Sequence, residues 1–211
     1  MSRPDEPAAM TLHWSPRSPF VRKVMVAALE LGLADRIRTI RTVVAMRKPA
    51  RELLPDNPLG KIPTLVLADG STLYDSQVII EYLDSLAGGG TLIPLGGDAR
   101  WLELRRHALL DGFLDLLILW RNERDRPHPL PDLIDAFALK ADAVLAAVES
   151  EIGAIAAGPV GLAQITAAIA GAYMDFRFAD LGWRDRCPRF SAWQQGFARR
   201  PSMLATPIVD A

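Results

Sequence analysis

The spacing of apolar residues changes character near the middle of the chain. In the first ninety positions short apolar or β-branched runs alternate with helical stretches. Met10 to Trp14 is a compact apolar run closed by Ser15-Pro16, the signature of a buried strand ending in a turn. From Pro19 to Leu31, Phe20, Val24, Ala27, Ala28 and Leu31 recur at three and four residues, and Gly32 stands where a helix would stop. Ile37 to Val44 is rich in β-branched residues interrupted by Arg38 and Arg41, which predicts a second strand. A weakly patterned segment, Arg47 to Asn57, follows. Thr64 to Leu67 and Thr72 to Tyr74, joined by Ala68-Asp69-Gly70-Ser71, read as a hairpin. Val78, Ile79, Tyr82, Leu83 and Leu86 then trace a helix that the Gly88-Gly89-Gly90 run ends. The order is β-α-β, an unpatterned segment, then β-β-α.

Beyond this point every strong pattern is helical: Trp101 to Arg124, Leu133 to Ile155, Leu162 to Leu181 and Phe190 to Arg199, separated by Pro127 to Pro131 and by Gly158-Pro159. In the second of these, Ile134, Phe137, Ala141, Val144, Val148, Ile152 and Ile155 share one face and read as core. The glycine-rich, aperiodic 88–97 segment reads as a linker. It follows a helix, whereas a phosphate-cradling glycine loop would join a strand to a helix N-terminus. Met1 to Ala9 carries two prolines, Arg3 and two acids with no apolar centre, so it reads as a loose tail and not a secretory signal. The predicted division is therefore tail 1–9, α/β domain 10–87, linker 88–97 and helical domain 98–211.

Composition narrows the chemistry. The 211 residues are half apolar with a formal net charge of −1, so no broad field favours nucleic acid or an anionic membrane. Cys187 is the single cysteine, which excludes an internal disulfide, a CxxC pair and a cysteine-rich zinc site and suits a reducing compartment. Gln164 and Thr166 interrupt the most apolar later stretch, Leu162 to Met174, which is too short to span a bilayer. The expectation is a cytoplasmic protein with a small-molecule partner.

Three ordered motifs point further. They are Ser18-Pro19-Phe20-Val21-Arg22-Lys23-Val24, Asn57-Pro58-Leu59-Gly60-Lys61-Ile62-Pro63-Thr64-Leu65, and Asp75-Ser76-Gln77-Val78-Ile79-Ile80-Glu81-Tyr82-Leu83. Together with Tyr173 to Arg177 and Cys187-Pro188-Arg189-Phe190, they resemble cytosolic glutathione transferases, and the SPFV start is most similar to tau-class and related bacterial serine-type members. The resemblance implies a thioredoxin-like β-α-β-α-β-β-α domain that binds glutathione as co-substrate, followed by an all-helical domain, in a homodimer. It implies an enzyme that adds the glutathione thiolate to an electrophilic apolar small molecule held between the domains, without a metal. The rivals are another glutathione-dependent reaction (isomerisation, dehalogenation, peroxide reduction) and a catalytically silent binder of ligands or proteins.

Each motif residue also has a structural reading. Ser18 before Pro19 is an ordinary N-cap with proline at N1. By resemblance it is the hydroxyl that stabilises the thiolate, and a helix N-terminus suits that task because its N–H groups and dipole favour negative charge. Serine cannot form a mixed disulfide, which favours conjugation over thiol exchange. Ser15 is the alternative, since another serine-type class uses a serine three residues earlier; otherwise it closes a turn. Pro63 before a buried strand is either a plain strand-start proline or, by resemblance, half of a cis Ile62-Pro63 peptide that exposes the Ile62 backbone to the cysteinyl unit of glutathione. Asp75 and Ser76 read as a cap and, by resemblance, as the groups for the γ-glutamyl end. Lys48 and Lys61 match positions for the glycyl carboxylate, although loop lysines are usually just solvated.

In the helical half, Glu103, His107, Asp111 and Asp115 recur every four residues, a stripe more in keeping with a solvated or interface face than with a metal. Asp111, Asp115, Trp120, Arg22 and Arg121 are unranked candidates for the wall facing the electrophile. One departure concerns folding. Before the helix at Leu162 the family carries Ser or Thr with Asp three residues later, and here Gly161 and Gln164 stand instead. Without a side-chain oxygen at the cap, that terminus is expected to be weaker by a few tenths to ~2 kcal/mol.

Overall fold

The computed structural model of the protein describes residues 10–210; the expected 1–9 tail lies outside the described residues. Two compact units emerge, one up to Gly90 together with the chain from Thr206, the other Thr91–Ala205. The division lies between Gly90 and Thr91, and the residues from Thr206 group with the first unit.

The first unit is a four-stranded mixed sheet in the order β2-β1-β3-β4. Its strands are β1 (Met10–Trp14), β2 (Ile37–Arg41), β3 (Thr64–Val66) and β4 (Thr72–Leu73). β1 and β2 are parallel, with Met10 opposite Ile37, and are linked through helix α1 (Pro19–Glu30). β3 runs antiparallel to β1, with Leu65 opposite Leu12, and pairs with β4 through the Asp69-Gly70 turn. Leu12 and Leu65, on the central strands, are fully buried, whereas Arg38 to Arg41 of the edge strand are exposed. Helix α2 (Ser76–Leu86) packs against α1.

The second strand stops at Arg41 instead of Val44. Thr42 leaves the ladder, its N–H donating to the Trp14 carbonyl at 2.8 Å while its side chain turns inward beside His13. The unpatterned 47–57 segment holds a 3₁₀ turn at Arg51–Leu53 and an isolated bridge from Lys48 to Ala45.

The second unit contains α3 (Gly97–Arg124), α4 (Pro131–Ala156), α5 (Leu162–Arg177), α6 (Trp183–Arg186), α7 (Pro188–Phe197) and α8 (Pro201–Leu204). α5 is its axis: from Leu162 through Gly171 every residue is buried. It ends four residues short of the expected Leu181, because Phe178 leaves helical geometry and packs its ring 5.1 Å from that of Trp120. The expected 88–97 linker is not loose throughout: Leu92 and Ile93 are buried in this unit. Among the described residues, no helix is long and apolar enough to cross a membrane.

Candidate functional site

The register of the sheet gathers the three sequence motifs at one edge. β1 runs toward Ser15 and ends at Trp14; β3, antiparallel to it, begins at Thr64 opposite His13; and β4, antiparallel to β3, ends one residue before Tyr74-Asp75. The Ser15–Ser18 turn, the Ile62-Pro63 peptide and the Asp75-Ser76 start of α2 therefore lie at the same end of the sheet. The Ile62-Pro63 peptide is cis, as is the bond between Tyr74 and Asp75.

Ser18 is the N-cap of α1, with extended backbone and its Oγ accepting the Val21 N–H at 3.3 Å, while Pro19 occupies the first helical position. A hydroxyl has one proton and two lone pairs, so this cap uses a lone pair and leaves the O–H to donate elsewhere. Ser18 is half-buried. Ser15 is buried, and its carbonyl accepts the Ser18 N–H at 3.2 Å, which makes it the support of the turn that aims Ser18. One turn into the helix, burial pulls the pKa of Arg22 down to about 10.

The middle motif is organised by a residue that sequence reasoning passed over. Asn57 is buried; its amide donates to the Lys61 carbonyl and to Thr64 Oγ1, both at 3.0 Å, and its Oδ1 accepts the Leu59 N–H at 3.0 Å. Gly60, at φ 60°, closes the same turn with its N–H on the Asn57 carbonyl at 2.8 Å. One side chain thus fixes where Lys61 ends and Ile62 begins, and Ile62 lies just beyond the β1–β3 ladder. The Asn-Pro pair followed by Gly was the available signal, since Asn characteristically bonds the backbone two residues on. His13 bridges two further loops, with Nδ1 2.8 Å from Thr42 Oγ1 and Nε2 3.0 Å from Asp56 Oδ2. Nothing in the spacing of those three residues announces that contact.

Asp75 caps α2, its Oδ1 accepting the Gln77 N–H at 3.0 Å. Ser76, the next residue, is buried and makes no side-chain hydrogen bond with another described residue. Lys48 and Lys61 are exposed. What this edge offers is a set of helix-terminal and loop hydrogen-bonding groups with a cation on the Lys61 side, suited to an extended ligand that has anionic ends and a thiol.

In the helical unit the carboxylate stripe takes a different part. Glu103 Oε1 accepts the Ala163 N–H at 2.7 Å, and the Leu92 carbonyl accepts the Leu162 N–H at 3.0 Å. The start of α5 is therefore capped from another helix, and Gly161 is what makes room: a Cβ there would lie 2.6 Å from Glu103 Oε1. Gln164 does not reach back to its cap; its Nε2 donates to the carbonyls of Ile155, Gly158 and Pro159 and closes the end of α4. The weak terminus expected from Gly161 and Gln164 is thus not found. Trp120 is core, stacked with Phe137 and tilted against Phe178. His107 Nε2 lies 3.6 Å from Asp111 Oδ1. Burial, reinforced by Glu149, raises the pKa of the Cys187 thiol.

Residues 17–86 match the family model described as glutathione S-transferase, N-terminal domain. A glutathione transferase family member from Pseudomonas fluorescens Pf-5, solved with bound glutathione, is 41% identical, with a TM-score of 0.92 over 95% of this chain and 100% of that one. A glutathione S-transferase from Methylobacillus flagellatus KT with glutathione bound is 31% identical, with a TM-score of 0.85 over 95% of this chain and 100% of that one. The uncharacterized GST-like protein YibF of Escherichia coli K12 is 31% identical over 179 residues, 82% of this chain and 86% of the relative.

Proposed function

Because this chain belongs to the glutathione transferase family, we propose that it binds glutathione at the sheet edge described above and adds its thiolate to an electrophilic small molecule. The observation that carries this reading is Ser18, whose oxygen caps α1 through a lone pair and whose proton is left to donate to a sulfur anion. The N-terminal dipole of α1 adds to that stabilisation, and a lower thiol pKa means more nucleophile at neutral pH. Ser18 is the activating residue in this assignment, with Ser15 in support.

The rest of the tripeptide is assigned by chemistry. The buried Ser76 hydroxyl and the start of α2 receive the γ-glutamyl carboxylate, and Asp75 lies toward the α-amino group. The Ile62 backbone, held beyond the ladder by Asn57, pairs with the cysteinyl unit in the manner of an added strand. Lys61, and Lys48 with it, meets the glycyl carboxylate. The Pseudomonas fluorescens relative has also been solved with bound S-(propanoic acid)-glutathione, a thioether of the kind that attack of the thiolate on carbon forms, which supports conjugation over isomerisation or peroxide reduction. The chain's one cysteine is buried and takes no part, in keeping with a cytoplasmic setting. A two-fold dimer is the assembly we assign, with exposed Trp101 and Leu102 of α3 as its apolar contribution.

Retention on immobilised glutathione together with turnover of 1-chloro-2,4-dinitrobenzene is the test. Retention with turnover is the expected result; retention without turnover of this or any other electrophile identifies a silent binder and removes the catalytic half of the proposal.

A further inference from the structure

The cations of this chain are spread unevenly. In the helical unit Arg105, Arg124, Arg184 and Arg186 each hold a carboxylate oxygen within 2.8 Å. In the first unit, positions 36–51 carry six cations, Arg36, Arg38, Arg41, Arg47, Lys48 and Arg51, and no acid, although the whole chain has a formal net charge of −1. Among the described residues, Arg38, Arg47, Lys48 and Arg51 form no ion pair, and all four are exposed. Arg38 meets only a hydroxyl, Thr11 Oγ1, at 3.3 Å.

The sheet carries this charge to the edge where the three motifs gather. Arg38 and Arg41 stand along β2 opposite Thr11 and Trp14, and because the two strands are parallel β2 ends beside the Ser15–Ser18 turn. The loop that follows is held at both of its ends by one side chain. His13 Nδ1 lies 2.8 Å from Thr42 Oγ1 and its Nε2 lies 3.0 Å from Asp56 Oδ2. The Thr42 N–H also donates to the Trp14 carbonyl, and the neighbouring Asn57 amide donates to the Lys61 carbonyl. Between these pins Ala50 and Leu53 are buried, so Arg47, Lys48 and Arg51 are displayed on an anchored loop. Edge strands carry charge to discourage pairing with other chains, but that need ends with the strand at Arg41 and leaves the three loop cations unaccounted for. Contact with one glycyl carboxylate does not require them all either, since Lys48 and Lys61 suffice for it.

Glutathione has two carboxylates and one ammonium, so it arrives net negative, the more so when its thiol is ionised. We propose that Arg38, Arg47 and Arg51 form a capture surface, drawing the anionic tripeptide toward the sheet edge by long-range attraction without touching it once bound. The assignment rests on the glutathione-binding reading and adds to it a selection by charge on the way in. Such attraction acts through water and fades beyond a Debye length, about 10 Å at 0.1 M salt, so its signature is dependence on ionic strength and not the loss of a contact.

The test is calorimetry of glutathione binding to the full-length protein at about 20 mM and about 500 mM sodium chloride, which bracket weak and strong screening. Wild-type affinity is expected to fall about tenfold between the two, the scale of a few unit charges acting through water over such distances. The triple variant Arg38→Gln, Arg47→Gln, Arg51→Gln should bind about fivefold more weakly at low salt, lose most of its salt dependence, and match wild-type protein at high salt. The corresponding Arg→Lys triple variant keeps the charge while losing the guanidinium fork, and should retain both the affinity and the salt dependence. Wild-type affinity that does not change with salt, a Gln variant as tight as wild type at low salt, or a deficit that persists at high salt or in the Lys variant would each overturn the capture surface and leave the glutathione reading in place. Absence of glutathione binding at both salts overturns that reading and this one with it. The wild-type salt dependence is decisive even if the Gln variant does not fold.

Discussion

Two helix starts in this molecule solve the same problem in opposite ways. At α1 the free N–H of Val21 is met by Ser18, three residues away, through a 3.3 Å bond on a half-buried residue. At α5 the free N–H of Ala163 is met by Glu103, sixty residues away, through a 2.7 Å bond to a carboxylate at the head of a buried helix. The first cap is local, long and neutral, and keeps a proton to spend. The second is distant, short and charged, and its carboxylate oxygen is engaged in closing a buried terminus. A helix N-terminus can serve an anion only where its own cap is cheap and its end is accessible; at α5 the anion is already part of the protein.

The largest expected effect distinguishes the chemistry of the first start from its stability. Ser18→Ala should lower turnover by about 100-fold, in the range of losing one donor to a developing anion, while costing only about 1 kcal/mol of stability as a cap. Thiolate absorbance of bound glutathione against pH reads the cause directly: the thiol pKa should rise in the variant. Ser15→Ala, which leaves the supporting carbonyl in place, should keep both turnover and thiol pKa; if it loses them while Ser18→Ala does not, the two serines exchange roles.

At the second start the effect should be on folding alone. Glu103→Ala strands the Ala163 N–H in a buried place and should cost about 2 kcal/mol in urea unfolding, with glutathione affinity unchanged. A loss below about 0.5 kcal/mol would mean that the Leu92 carbonyl and water suffice there, and the contrast between the two starts would collapse.

The smallest and most discriminating effect is a coupling. Gly161→Ser alone should destabilise, because the new Cβ would meet Glu103 Oε1 at 2.6 Å and the Leu92 carbonyl at 3.3 Å. Introduced into Glu103→Ala, the same serine gains the space and can cap α5 from its own position, as Ser18 does for α1; the double variant should recover about 1 kcal/mol over Glu103→Ala. Strict additivity in a double-mutant cycle would show that Gly161 is not there to admit Glu103.

Much of this molecule was legible from local sequence. The periods of the apolar residues placed every strand and long helix, since a strand of period two or a helix face of period 3.6 is decided by neighbours a few residues away. Asp75 and Ser18 as caps, and the turn at Gly70, were legible for the same reason, each being satisfied within three residues. The element ends were less so: β2 stops at Arg41 because Thr42 bonds Trp14 and His13, and α5 stops at Arg177 because Phe178 packs on Trp120. What composition and spacing determined by themselves was a mixed α/β unit followed by helices, with a serine at the head of the first helix. Only the tertiary structure decided that Glu103 replaces the missing cap of α5, that Asn57 sets the Ile62 loop, and that Arg121 meets Tyr173 across fifty-two residues. The reason is physical: a buried polar group takes whichever partner the fold brings within hydrogen-bond reach, and that proximity has no period along the chain.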